Sequence, residues 1–221
     1  MKKELVYLLG YFYADGSLSP SKKYPVIELQ EEDGNYLFKL AKRQLLTNKF
    51  RKRDRKNSSV SQIAFNITSK KYRKLFENIM SNKIDMNIIK DYISEEDYPY
   101  FLRGFFDGDG CICLRKTKSV IYFYGSFDQN WSFVLNILDS LSIKYNHSLN
   151  IRKEGRHKSS FICVSSKYDC AKLFEYLYPN CAYDFGLFRK YEKLLISKMS
   201  IKRKRPNTKR ENTFCVKYYD K

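Results

Sequence analysis

Asp15 and Asp109 are the residues whose type and placement promise chemistry. Asp15 lies in the stretch LLGYFYADGSL (8–18), and Asp109 in FLRGFFDGDGCI (101–112). Each follows an apolar run with helical spacing, and each precedes a glycine. A carboxylate at a helix C-terminus opposes the macrodipole at a cost of about 0.3 kcal/mol or more, so its presence there calls for a compensating role. Two carboxylates held close repel each other unless a cation lies between them. With the carbonyls that a helix end exposes, they make a set of hard oxygens. That set suits Mg²⁺, which takes one or two carboxylates and keeps places for water and phosphate oxygens. An ion so held activates water and stabilises the leaving oxygen in phosphodiester hydrolysis. The candidate ligands are the carboxylates of Asp15 and Asp109 and the carbonyls of Ala14 and Gly108.

Small residues precede both aspartates. Gly10 and Ala14 are four apart, as are Gly104 and Gly108, so each pair shares one helix face. Such faces let two helix backbones approach closely. Packing through them brings both C-terminal ends together. Gly16 and Gly110 are expected to supply the left-handed residue that ends each helix. Asp107 is also acidic, but its counterpart is Tyr13 and its role is secondary.

These stretches belong to a duplication. Asp15 and Asp109 are 94 residues apart; KLFE recurs at 74–77 and 172–175, and ITSKKY (67–72) has a counterpart in VSSKY (164–168). Ordered matches at nearly equal spacing identify a repeated unit. Each copy reads as helix, hairpin, helix, hairpin, helix. The helices fall at about 3–14, 35–47 and from 69 in the first copy, and at about 97–108, 129–142 and from 166 in the second. The strands show alternation in VIELQ (26–30) and in IAFNI (63–67), where Ile63, Phe65 and Ile67 share a face. Asp33 and Asp128 stand near helix starts as N-caps. The expected fold is α+β: two pseudo-symmetric αββαββα units at 1–94 and 95–200, then a basic tail at 201–221 with little periodicity.

Charge points to a polyanion. The chain has 221 residues with 42 Lys+Arg against 24 Asp+Glu, a net charge of +18. Nucleic acid is the first candidate partner for such an excess. The basic residues gather on the hairpins. Lys22 and Lys23 follow the first motif; Lys49, Arg51, Arg53 and Arg55 alternate onto one strand face. Arg115, Lys116 and Lys118 follow the second motif, and Arg152, Lys153, Arg156 and Lys158 occupy the last hairpin. A twisted β-ribbon fits the DNA major groove, where Arg reads guanine and other cations hold phosphates. The six cysteines have no C-x-x-C pair, which argues against zinc and for reduced thiols in an intracellular protein. No apolar run is long enough to span a membrane.

The motifs LLGYFYADG (8–16) and LRGFFDGDG (102–110) resemble those of the LAGLIDADG homing endonucleases, and two in one chain resemble the monomeric, pseudo-symmetric members. The resemblance implies motif helices packed at the centre and two antiparallel β-sheets forming a DNA-binding saddle. It implies double-strand cleavage at a long site, leaving short 3′ overhangs. Asp15 and Asp109 are then the ligands of the catalytic Mg²⁺, with Mn²⁺ substituting and Ca²⁺ supporting binding without cleavage. It further implies basic or polar residues near the scissile phosphates; by position these are Lys90, Lys190 and Gln30. Tyr13 departs from the acid that many family motifs carry at that place. The other readings of the resemblance are a group I intron RNA maturase and a DNA-binding protein without nuclease activity. An intron-encoded or other mobile element is the implied source.

Overall fold

The computed structural model describes residues 1–19, 24–54, 61–114, 119–152, 158–199 and 213–219. They form an α+β fold in two compact units, the first Met1–Lys83 with Ile88–Gly108, the second Ile84–Asn87 with Asp109–Lys221.

The first unit opens with α1 (Lys3–Asp15), buried from Leu5 to Tyr13 on every side, as its nearly unbroken apolar sequence requires. Strands β1 (Ser17–Leu18) and β2 (Pro25–Gln30), helix α2 (Glu31–Arg43), strands β3 (Phe50–Arg53) and β4 (Gln62–Asn66), and helix α3 (Lys70–Ser81) follow. This is the expected order. The sheet is antiparallel, β1-β2-β4-β3. Ile27, Ile63 and Phe65 on its inner face are buried, as alternation demands. Phe12 joins helix to sheet, with ring centroids 5.1 Å from Phe76 and 5.9 Å from Phe65. After short 3-10 turns at Met86–Asp91 and Glu95–Asp97 comes α4 (Tyr98–Asp109), whose residues to Gly108 belong to this unit.

The second unit contains β5 (Gly110–Leu114), β6 (Ser119–Ser126), α5 (Ser132–Ser140), β7 (Asn146–Arg152), β8 (Lys158–Val164), α6 (Lys167–Leu177) and α7 (Phe188–Met199). Its first four strands are antiparallel in the order β5-β6-β8-β7. Ile121, Phe123, Ile162 and Val164 fill the helix-covered face. Residues 84–87 clip onto this unit: the Asn130 N–H donates to the Ile84 carbonyl at 2.7 Å, and Asn87 Nδ2 to Ser132 Oγ at 2.6 Å.

Four local expectations are corrected. The second sheet is mixed rather than wholly antiparallel, because Thr213–Tyr219 of the tail forms β9, which pairs in parallel with β7. TFCVKYY is rich in strand-forming residues, and β7 offers it an edge. Asp33 does not cap α2, which begins earlier; it lies in the first turn with Glu31 and Glu32, where acids complement the dipole. Asp128 does not cap α5; the Ser132 N–H bonds Asn130 Oδ1 at 3.0 Å. Neither motif glycine is left-handed. Gly16 is extended (φ −72°, ψ 161°), and Gly110, the first residue of β5, has no positive φ. Gly16 is required by space: a Cβ there would lie 2.5 Å from the Phe12 carbonyl oxygen and 3.0 Å from Met80 Cε.

Candidate functional site

The small-residue faces of α1 and α4 meet within the first unit. A Cβ at Gly10 would fall on the Phe101 carbonyl and 3.0 Å from the Phe105 nitrogen; one at Gly104 would fall on the Tyr7 carbonyl and 2.8 Å from the Tyr11 nitrogen. Backbone therefore touches backbone at both glycines, and no side chain fits between. Further along, a Cβ at Gly108 would overlap the Ala14 methyl and lie 3.4 Å from Asp15 Oδ2. All four small residues lie at one crossing, and that crossing ends beside the Asp15 carboxylate. The Tyr7 hydroxyl donates to the buried Asp107 carboxylate at 2.8 Å, tying the middle of α1 to the last turn of α4.

Asp15 is exposed at the last position of α1, and Asp109 is half-buried at the last position of α4. Two lysines stand at the motif ends. In the first unit Lys83 Nζ donates to the Ala14 carbonyl at 2.8 Å and also to the Gly16 carbonyl. In the second, Lys190 Nζ donates to the Gly110 carbonyl at 2.8 Å. Gly16 and Gly110 are equivalent in the duplication, so Lys83 and Lys190 are counterparts. Lys190 is only 6% exposed, and a buried ammonium requires such acceptors. The Tyr13 hydroxyl donates to the Lys83 carbonyl and so fixes the loop that carries this lysine. Tyr13 itself packs edge-on to Phe101 and Phe105, each 5.9 Å away.

Lys90 is exposed in the 3-10 turn Met86–Asp91, whereas Lys83 makes the contact equivalent to that of Lys190. Lys90 follows Leu75 at nearly the separation at which Lys190 follows Leu173, whereas Lys83 follows much sooner; spacing therefore points to Lys90 and the motif-end contact to Lys83. Gln30 ends β2, exposed and opposite Gln62.

The hairpin cations divide. Arg51 and Arg53 point from the outer face of the first sheet, Arg53 donating to Glu28 at 3.2 Å, while Lys49 is exposed just before β3. Lys158 pairs with Ile151 on the helix-covered side of the second sheet, its ammonium 5.4 Å from the Phe127 ring. Arg152 ends β7. Lys22, Lys23, Arg55, Arg115, Lys116, Lys118, Lys153 and Arg156 lie outside the described residues.

A divalent cation fits this donor set in part. Carboxylate and main-chain carbonyl are hard oxygens, and Gly108 leaves open the space beside Asp15 Oδ2. The Ala14 carbonyl already accepts an ammonium, which weakens its case as a metal ligand. Among the described residues no group of three or more His, Cys, Asp or Glu could hold a metal ion. None of the described helices is long and apolar enough to cross a membrane.

Residues 96–178 match the family model of the LAGLIDADG-like domain. The chain's fold is that of the LAGLIDADG homing endonucleases. The homing endonuclease I-WcaI, solved bound to its DNA recognition sequence, has a TM-score of 0.59 at 15% identity, covering 88% of this chain and 86% of that one. I-LtrWI, a LAGLIDADG homing endonuclease bound to target DNA, gives 0.55 at 12% identity, covering 90% of each chain. The N-terminal LAGLIDADG domain of DUF199/WhiA gives 0.55 at 17% identity, over 80% of this chain and 82% of that one. An uncharacterised protein of Methanocaldococcus jannaschii is 25% identical over 171 residues, 72% of this chain; the match spans 62% of that protein's length.

Proposed function

We propose that the chain is a site-specific, double-strand DNA endonuclease dependent on divalent metal. The observation that carries this reading is the helix crossing, which runs through Gly10, Gly104 and Gly108 and ends beside the Asp15 carboxylate, with an aspartate closing each motif helix. The net charge of +18 and the DNA-bound homing endonucleases of this fold support DNA as the partner. Asp15 and Asp109 would hold Mg²⁺, which when bound polarises a phosphate oxygen and activates water. The exposed Asp15 side chain leaves room for a backbone phosphate. Lys83 and Lys190 each fix an ammonium at a motif end. There it neutralises phosphate charge as a strand approaches and as the leaving oxygen gains electrons. The motif carbonyls orient those ammonium groups.

A binder without nuclease activity is the second reading. It is favoured by the ammonium already seated on the Ala14 carbonyl, and the fold is shared with the WhiA domain. Asp15→Asn and Asp109→Asn separate the two. On the endonuclease reading each variant loses double-strand cleavage and keeps its DNA affinity. Wild-type protein that binds and never cleaves, in Mg²⁺ or Mn²⁺, selects the binder.

A further inference from the structure

The two sheets share a topology and differ in the chemistry of the face turned away from their helices. In the first, the cross-strand rows are Glu28–Ala64–Arg51 and Gln30–Gln62–Arg53. They consist almost entirely of charge and hydrogen-bonding groups. In the second, the rows are Cys111–Tyr122–Cys163–Asn146 and, two residues along, Tyr124–Phe161–Ser148. The Tyr122 and Tyr124 rings stack 5.6 Å apart at 17°, with Phe161 5.8 Å from each. Cys111 and Cys113 Sγ atoms are 3.9 Å apart. Tyr124 is 38% exposed, so this cluster meets solvent. Burial pushes the Tyr122 hydroxyl up to about 12 and the Cys111 thiol above its ordinary value, so neither ionises near neutral pH. The residues that flank Tyr122 and Tyr124 on this face, Cys111, Cys163, Phe161 and Ser148, are all uncharged.

An uncharged patch of rings and thiols on so basic a chain is not itself a phosphate contact. In the major groove one base feature suits it, the 5-methyl group of thymine, which presents no hydrogen-bonding group. We propose that the second sheet reads thymine methyl groups through Tyr122 and Tyr124, whereas the first reads hydrogen-bonding base edges through Arg51, Arg53 and Gln62. This rests on the DNA-binding reading above. Phe161, buried beside both tyrosines, holds their rings in place.

The test begins with duplexes enriched by the full chain from a randomised pool in Ca²⁺. Each thymine of an enriched duplex is then replaced by deoxyuracil, which removes only the methyl. Wild-type binding should weaken about fourfold at each contacted thymine, the effect of one lost apolar contact of about 0.8 kcal/mol. Those thymines should cluster in one part of the duplex. In Tyr124→Ala at least one of these replacements should become neutral, and in Arg51→Ala all of them should still count. Uniformly neutral replacement in the wild-type chain, or sensitivity unchanged at every thymine in Tyr124→Ala, overturns the proposal and leaves DNA binding standing. Failure to enrich any duplex overturns the DNA-binding reading, and the proposal with it.

Discussion

The two motif ends carry the same contact and reach it by different routes. Lys190 comes from α7 and bonds one motif carbonyl, that of Gly110, from a nearly buried position. Lys83 comes from the loop after α3, is half-buried, and bonds two carbonyls, those of Ala14 and Gly16. Its loop is anchored by Tyr13, at the place where the second motif has Asp107, which instead accepts from Tyr7. Duplication has kept an ammonium on the residue that follows each aspartate while the element supplying it diverged.

Removing what the motif ends have in common should have the largest effects. Gly104→Leu forces a side chain onto the Tyr7 carbonyl, so no cooperative melt is expected, or a Tm lower by more than about 10 °C. An unchanged Tm would show that α1 and α4 do not pack through this face. Asp15→Asn and Asp109→Asn should each lower double-strand cleavage by about a hundredfold or more with Kd for the duplex unchanged. Loss of binding would assign these carboxylates to folding instead.

The lysines sharpen the contrast. Lys83→Met and Lys190→Met should each slow cleavage by about tenfold to a hundredfold, whereas Lys90→Met should stay within about twofold. Equal effects at Lys83 and Lys90 would break the equivalence of Lys83 and Lys190. Lys190→Met should also lower Tm more than Lys83→Met does, because its ammonium is the more buried. Arg51→Ala tests the charged sheet: discrimination at one base pair should fall by about 1–3 kcal/mol, the worth of one bidentate base contact. The smallest effect concerns His147, on the inner side of β7, whose pKa is lowered by burial. The unfolded chain binds that proton first as pH falls below the ordinary histidine value, so stability present at neutral pH declines there. Tm should fall slightly more between pH 7 and pH 5 in the wild type than in His147→Gln.

Much of the fold was legible in the sequence because alternation and helical spacing are local. Ile63, Phe65 and Ile67 declare a strand face, and Ser166 declares a cap by accepting from the Asp169 N–H. The duplicated motifs located the helix crossing. What was illegible depends on distant neighbours. The strand at Thr213–Tyr219 exists by pairing with β7, far away in sequence. α2 starts inside a polar run, Glu31–Asp33, that carries no apolar signal. Gly16 serves space rather than a left-handed turn, which only the packed Phe12 and Met80 reveal. Lys83 sits in a loop without periodicity, so nothing in SNKIDM marks it as the partner of Lys190.

Sequencing of newly formed DNA ends tests the central claim most directly. The full chain is incubated with long duplexes of randomised sequence, once in Mg²⁺ and once in Ca²⁺. Rare, defined ends with short 3′ overhangs, formed in Mg²⁺ and absent in Ca²⁺ and with Asp15→Asn, are the expected result. Tight, salt-sensitive binding with no new ends in either metal would contradict cleavage, and preferential binding to a folded intron RNA would point to a maturase.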